Sequence, residues 1–202
     1  MSAFLGPIHY WLFTKIQRQE ELTMALQKAV LSKADQPAFQ AAMASACGEV
    51  ETRSLDDCID AGNIHGWLQQ QVSIAELRFA FLTTKLLQSG QTNLQQLGQA
   101  AFIAGTQNMM IAEDAQAAFQ KLNDILLDGM PCDQVNEMVS QSPEQVVWRQ
   151  TQCLHREYWE SVGGDVSIYN MLRDKWISGM LENSGLEYYS ADGLYYIQRE
   201  AV

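Results

Sequence analysis

The sequence has few charged residues and no run of basic ones. Charged side chains make up 18% of its 202 residues, and 24 Asp and Glu outnumber 13 Lys and Arg, which gives a formal net charge of −11. Affinity for nucleic acid or for anionic lipid depends on clustered Lys and Arg. The composition therefore predicts an acidic protein that binds neither nucleic acid nor a membrane.

The sequence also lacks long apolar runs and paired cysteine motifs. No window approaches the length of about 20 apolar residues that spans a bilayer, and Met1–Leu5 has no basic segment of the kind that opens a secretory signal. The four cysteines, Cys47, Cys58, Cys132 and Cys153, show no C-x-x-C spacing. We therefore expect a cytoplasmic protein with reduced thiols.

Apolar residues recur at helical spacing along most of the sequence. In the clearest segment, from Asn63 to Leu87, they follow steps of three and four residues: Ile64, Leu68, Val72, Ala75, Phe79, Leu82 and Leu86. Turns rich in Gly, Pro, Ser and Asp separate the segments. The pattern predicts an all-α fold, an up-down bundle of about six to eight helices that forms one domain over residues 1–202.

Two helices and one hairpin are predicted in the last third of the sequence. A short helix is expected near Asp133 to Val139, and Ser142-Pro143-Glu144-Gln145 has the capping pattern of a helix that reaches Ser161. Two tyrosine-rich runs flank an Asp-Gly turn within residues 186–199, which is a strong hairpin signal. Because an isolated hairpin is marginally stable in water, we expect it to pack on the bundle.

A short motif occurs twice in the sequence and includes two of the three histidines. Gly6-Pro7-Ile8-His9-Tyr10-Trp11-Leu12 and Gly62-Asn63-Ile64-His65-Gly66-Trp67-Leu68 match at five of seven positions. The third histidine, His155, precedes Trp159 by four residues. Imidazole binds metals and titrates near neutral pH. Three histidines in similar surroundings therefore indicate a shared site.

The order of the predicted helices suggests how this site is assembled. In an up-down bundle, the first-turn residues His9 and His65 lie at the same end, and His155 can reach them from a third helix. Three imidazoles can hold iron or zinc with one coordination position open, and Cys153 is a further candidate ligand. The leading hypothesis is a metal-binding protein, and a metal-bound water would allow an enzyme that acts on a small-molecule substrate.

The tryptophans beside the histidines complete this hypothesis. Trp11, Trp67 and Trp159 are predicted to wall the pocket and to contact the bound cofactor. A haem held by two histidines between parallel helices, or a small-ligand sensor, is the first alternative. The second is a structural or interaction protein whose histidines are core residues. The sequence leaves the oligomeric state open.

Two further predictions concern residues outside the motif. Cys132 follows a turn and precedes a predicted helix, a position that can activate a thiol as a nucleophile, although an ordinary turn is the simpler interpretation. Glu20 and Glu76 each lie eleven residues after a motif histidine. Three helical turns span roughly 16 Å, too far to share one metal. Both carboxylates are therefore expected to be solvated or paired with Arg or Lys.

Overall fold

The computed structural model describes residues 4–200, which form eight α-helices and a four-stranded antiparallel sheet. The helices are α1 (Pro7–Val30), α2 (Gln36–Cys47), α3 (Leu55–Cys58), α4 (Ile64–Gln88), α5 (Leu94–Thr106), α6 (Ala115–Ile125), α7 (Arg156–Ser161) and α8 (Val166–Met180). The strands are β1 (Asn136–Gln141), β2 (Gln145–Gln150), β3 (Leu186–Ala191) and β4 (Leu194–Arg199). A 3₁₀ turn, Pro131–Asp133, precedes β1. The prediction of an all-α fold is confirmed only in part: the chain is mostly helical, but its last third also forms a four-stranded sheet.

Helices α1 and α4 pack side by side and run in the same direction. Their first turns meet where His9 approaches His65, and further along Glu20 of α1 meets Arg78 of α4. The apolar stripe predicted for α4 is buried, including Leu68. These two long helices therefore bring the two copies of the repeated motif together.

Helices α5 and α8 cross at very close range through two glycines. A Cβ atom added to Gly105 would lie 2.2 Å from the carbonyl oxygen of Trp176, and one added to Gly179 would lie 2.1 Å from that of Phe102. No side chain fits at such distances, so the contact requires glycine on both helices. This crossing fixes the position of α8, which carries residues of the candidate site.

The sheet has the strand order β1-β2-β4-β3, with all neighbours antiparallel. The predicted hairpin is confirmed as β3 and β4, joined by Asp192 and Gly193 at φ values of 53° and 77°. Positive φ at both central residues is the geometry that an Asp-Gly hairpin turn favours. Strand β4 also pairs with β2, so the hairpin is half of a larger sheet.

The prediction of two helices between residues 133 and 161 is wrong over most of that segment. The segment from Asn136 to Gln141 is a strand, and the predicted helix from Ser142 instead forms the turn and strand β2, with helix only from Arg156. The hydroxyl of Ser142 does accept the Gln145 N–H at 3.1 Å, but the backbone N–H of Ser142 donates to the Gln145 carbonyl at 2.8 Å. That pair of bonds closes a hairpin turn.

Two groups of buried apolar residues form the core. The larger lies among α1, α4, α5, α8 and the sheet, and the smaller lies near the first turns of α1 and α4, around Leu12, Ile64 and Leu68. No helix within residues 4–200 is both long enough and apolar enough to cross a membrane.

Candidate functional site

His9 and His65 lie together, as the repeated motif predicts. Their Nε2 atoms are 3.3 Å apart, and the Gly6 N–H donates to His9 Nδ1 at 2.9 Å. Because His9 Nδ1 accepts this bond, a neutral His9 carries its proton on Nε2 and donates it to His65 Nε2. The pair therefore closes the first turn of α1 and joins it to α4.

The pocket beside this histidine pair is small and mostly apolar. Its volume is about 110 Å³. It is lined by Ile8, His9, Leu12, His65, Leu68, Met130, Pro131 and Cys132. Ligand pockets usually measure about 300–1,000 Å³, so this pocket is smaller than that range. Cys132 lies within the 3₁₀ turn Pro131–Asp133, which is followed by strand β1 and not by an α-helix, so the helix N-terminus expected to activate its thiol is not formed.

The prediction that three histidines share one metal site is wrong. His155 does not join His9 and His65, because its ring stacks on Tyr169 and contacts Glu76 in the interior. Within the described part of the chain, no group of three or more His, Cys, Asp or Glu residues is arranged to hold a metal ion. His155 precedes α7 as its N-cap instead of lying within a long helix, which turns it towards α4 and α8.

The three tryptophans and Cys153 are also separated. The Trp11 indole donates to Asp124, Trp67 packs on Phe13, and Trp159 lies in the core against Phe79. None of the three lines the pocket of the histidine pair as the structure describes it. Cys153 is exposed near His155. The tryptophans therefore do not form one cofactor pocket.

A buried cluster of charged residues surrounds His155. Glu76 Oε2 contacts His155 Nδ1 at 3.0 Å, and Asp128 Oδ1 lies 3.9 Å from His155 Nε2. Arg173 of α8 forms an ion pair with Asp128 at 3.6 Å. The rings of His155 and Tyr169 stack with their centroids 3.8 Å apart. Two carboxylates, one imidazolium and one guanidinium thus balance each other in the interior, where unpaired charges are costly.

These charges determine the protonation of the cluster. Burial alone lowers the pKa of His155, but the charge and hydrogen bond of Glu76 and the charge of Asp128 outweigh it and raise that pKa to about 9. Burial opposes ionisation of Asp128, yet Arg173 and His155 hold its pKa well below the usual range. His155 is therefore an imidazolium at neutral pH, and Asp128 is a carboxylate.

A cleft beside the cluster, here called the acidic cleft, opens on the side of Glu76. Its volume is about 280 Å³. It is lined by Gln69, Val72, Glu76, Gly129, Asp133, Gln152, Cys153, Leu154, His155, Glu157 and Tyr158. Three carboxylates are among these residues, and none of the described lining residues is Lys or Arg. The acidic cleft is therefore a region of negative charge.

Glu76 is the residue of this site that the sequence prediction placed wrongly. Its side chain is 2% exposed and its partner is a histidine, so it is neither solvated nor paired with Lys or Arg. Its Oε1 atom is buried and accepts no hydrogen bond from the described residues. Glu76 lies four residues after Val72 and three before Phe79, on the apolar stripe of α4. Its position on this stripe indicates, from the sequence alone, that the carboxylate is buried.

Comparison with known proteins assigns no family or function to this site. No family model, no curated protein and no solved structure matches the chain.

Proposed function

We propose that the protein binds a small molecule with a protonated amino group, and that the acidic cleft is the binding site. The observation that carries this proposal is the carboxylate of Glu76: the residue lines the cleft, and its Oε1 atom is buried without a donor among the described residues. A buried polar atom without a partner is costly. An ammonium group would supply both an N–H donor and a positive charge.

The charges around the acidic cleft support a cation in preference to an anion. Glu76, Asp133 and Glu157 contribute three negative charges to the lining, against the single positive charge of His155. The net charge of the whole chain, −11, has the same sign. Such a field raises the local concentration of cations and lowers that of carboxylates and phosphates.

The size of the acidic cleft limits the ligand to a few heavy atoms. A volume of about 280 Å³ lies at the lower end of the range of about 300–1,000 Å³ typical of ligand pockets. The Tyr158 hydroxyl and the amides of Gln69 and Gln152 are neutral hydrogen-bonding groups in the same lining. A short amino alcohol matches this combination of a carboxylate and neutral polar groups.

The experiment compares ethanolamine with ethylene glycol, which has a hydroxyl in place of the ammonium group. We expect calorimetric titration and thermal shift at neutral pH to show binding of ethanolamine and none of ethylene glycol. An ionic hydrogen bond contributes about 1.5–3 kcal/mol, so the two affinities should differ by about tenfold or more. Equal affinities, or no binding of ethanolamine, would overturn the proposal without the need for any variant.

Substitution then locates the site. Glu76→Gln keeps the size of the side chain and removes the negative charge, and it should weaken ethanolamine binding by about tenfold or more. Glu160→Gln removes an exposed carboxylate of α7 that does not line the acidic cleft, and it should bind as the parent does. Equal losses in both variants, or no loss in Glu76→Gln, would place the amine elsewhere.

A further inference from the structure

Lys15 is buried, in contrast to the other five lysines of the chain. Its exposed fraction is 4%, whereas Lys28, Lys33, Lys85, Lys121 and Lys175 are all exposed. It lies on the inner face of α1, one turn after Trp11, and its Nζ atom is 3.5 Å from the centre of the Trp11 ring. A cation on an aromatic face is stabilised, but less than one that is fully hydrated or paired.

The Lys15 amine lacks a close anionic partner. Among residues 4–200, no hydrogen bond or ion pair reaches its Nζ atom; Asp128 and Asp124 are the carboxylates that act on it from a longer distance. Burial lowers the pKa of Lys15, and the two carboxylates only partly oppose this, so that the pKa is about 8. At pH 7 roughly a tenth of the amine is therefore unprotonated, and this is the form that attacks carbonyl carbon.

This amine opens onto a second cleft, here called the lysine cleft, on the other side of Gly129 from the acidic cleft. Its volume is about 180 Å³, and Lys15, Trp11, Asp128 and Asn136 are among its lining residues. The Asn136 amide nitrogen donates to Asp128 at 2.9 Å, while its buried Oδ1 atom accepts nothing from the described residues. The lining of the lysine cleft thus includes an amine and an amide side chain whose buried oxygen has no donor among the described residues.

We propose that Lys15 is a nucleophile that condenses reversibly with a small, uncharged hydroxy-aldehyde or hydroxy-ketone in the lysine cleft. The Nζ lone pair forms a bond to the carbonyl carbon as the carbonyl π bond breaks. The oxygen then leaves as water with the two hydrogens of the amine, and a C=N double bond remains. This inference concerns a different cleft from the acidic cleft and does not depend on the proposed amine ligand.

The lining determines which carbonyl compounds fit. Asp128 and nearby Asp124 repel a carboxylate, and no other basic side chain lines the lysine cleft as described. The substrate is therefore uncharged rather than a 2-oxo acid. The free Asn136 Oδ1 calls for a donor, which a hydroxyl group next to the carbonyl supplies. The small volume excludes long chains.

Reductive trapping tests the proposal on the intact chain. Glycolaldehyde and cyanoborohydride are added at about neutral pH, so that hydride from the reagent converts any imine to a stable hydroxyethyl amine. Peptide mass spectrometry then gives the rate at each lysine. We expect modification at Lys15 to be about tenfold or more faster than at any exposed lysine, since its amine is unprotonated more of the time. Modification of the exposed lysines with Lys15 spared would overturn the proposal.

Two comparisons make the test specific. For each compound, the rate of trapping at Lys15 is divided by its rate at Lys28. This ratio should be about tenfold smaller for pyruvate, which carries a carboxylate, than for glycolaldehyde. Equal relative rates would overturn the assignment of an uncharged substrate. Lys15→Arg should lose the fast phase of modification and Lys28→Arg should keep it. A fast phase that survives Lys15→Arg would assign the reaction to another amine.

Discussion

Arg78 of α4 holds Glu20 of α1 through two hydrogen bonds, from Nε to Oε2 at 2.9 Å and from Nη2 to Oε1 at 2.6 Å. A third bond reaches the Gly48 carbonyl at 2.9 Å. Both side chains are largely buried. The planar guanidinium thus ties α1, α4 and the end of α2 together, which a lysine ammonium cannot do with the same geometry.

Loss of this guanidinium should destabilise the fold strongly. Arg78→Met leaves Glu20 as an uncompensated, largely buried charge, and we expect it to lower the free energy of unfolding by about 3–5 kcal/mol. Arg18→Met, which breaks the exposed pair with Glu21, is the matched control and should cost less than about 1 kcal/mol. Urea denaturation measures both. Similar values for the two variants would contradict the importance of the buried pair.

The stability contributed by His155 should depend on pH with a definite sign. The pKa of His155 is raised to about 9 in the folded protein by Glu76 and Asp128, against the effect of burial, whereas an unfolded histidine has a pKa of about 6.5. Its contribution is therefore complete below about pH 6.5 and is lost as the pH rises through about 9. Tyr169 stacks on this ring, and Arg173 pairs with Asp128 beside it.

The comparison of the parent with His155→Gln isolates this contribution, because the other groups titrate in both proteins. We expect the difference in free energy of unfolding to shrink by about 2–3 kcal/mol between about pH 6 and pH 10. Urea denaturation across this range measures it. A difference that stays constant with pH would show that His155 has the same charge in the folded and unfolded states.

The crossing of α5 and α8 should not tolerate a methyl group. Gly105→Ala would place its Cβ within 2.2 Å of a backbone carbonyl oxygen of α8, so the helices must separate, at a cost of about 1–3 kcal/mol or more. Gly98→Ala on the same helix is the control. Its Cβ would meet the flexible Met171 side chain at 3.3 Å. At this position the higher helix propensity of alanine can stabilise α5 by up to about 1 kcal/mol.

Thermal denaturation of the two alanine variants gives the comparison. Gly105→Ala should lower the Tm and Gly98→Ala should leave it unchanged or raise it. An unchanged Tm in Gly105→Ala would mean that the two helices are farther apart than described.

The turn that separates the two clefts should depend on Gly129. This residue has a φ of 74°, and an added Cβ would lie 2.2 Å from Leu154 Cδ1 and 2.6 Å from Asp133 Oδ2. Gly129→Ala therefore combines backbone strain with a clash that the ends of the Leu154 and Asp133 side chains must shift to relieve. Gly90→Ala, at a φ of 69° with no neighbour within 4 Å, measures the strain alone, about 1–3 kcal/mol. We expect Gly129→Ala to be more destabilising than this control in urea denaturation; equal effects would contradict the clash.

The histidine pair gives a prediction that nuclear magnetic resonance can check directly. The Gly6 N–H occupies His9 Nδ1, so a neutral His9 should carry its proton on Nε2, and a neutral His65 should carry its own on Nδ1. Long-range ¹H–¹⁵N spectra above neutral pH distinguish the two tautomers. The same tautomer in both rings would contradict the described contact.

The long helices and the final hairpin were predictable because their signals are local. The stripe of α4 and the Asp192-Gly193 turn each lie within one continuous segment, and the structure confirms both. The meeting of His9 and His65 was predicted from the repeated motif together with the order of the helices, and the structure confirms it. The expected pairing of Glu20 with a basic residue is also confirmed, by Arg78.

Strand β2 and the charged cluster were not predictable in this way. The Ser142 hydroxyl makes the same bond to Gln145 N–H in a hairpin turn as in a helix cap, so the capping pattern could not distinguish them. Glu76 and His155 are 79 positions apart in the sequence. Their contact depends on tertiary packing, which single-sequence periodicity does not contain.

The order of the strands also bears on the rate of folding. The central pairing of the sheet joins Gln145 of β2 to Gln198 of β4, 53 positions apart in the sequence, with α7 and α8 between them. Closing so long a loop costs entropy before any strand contact is gained, and pairings of high contact order form slowly. Strands β1 and β2 alone form only a marginal hairpin. The helices should therefore assemble first, and the arrival of β4 beside β2 should limit the rate at which the sheet is completed.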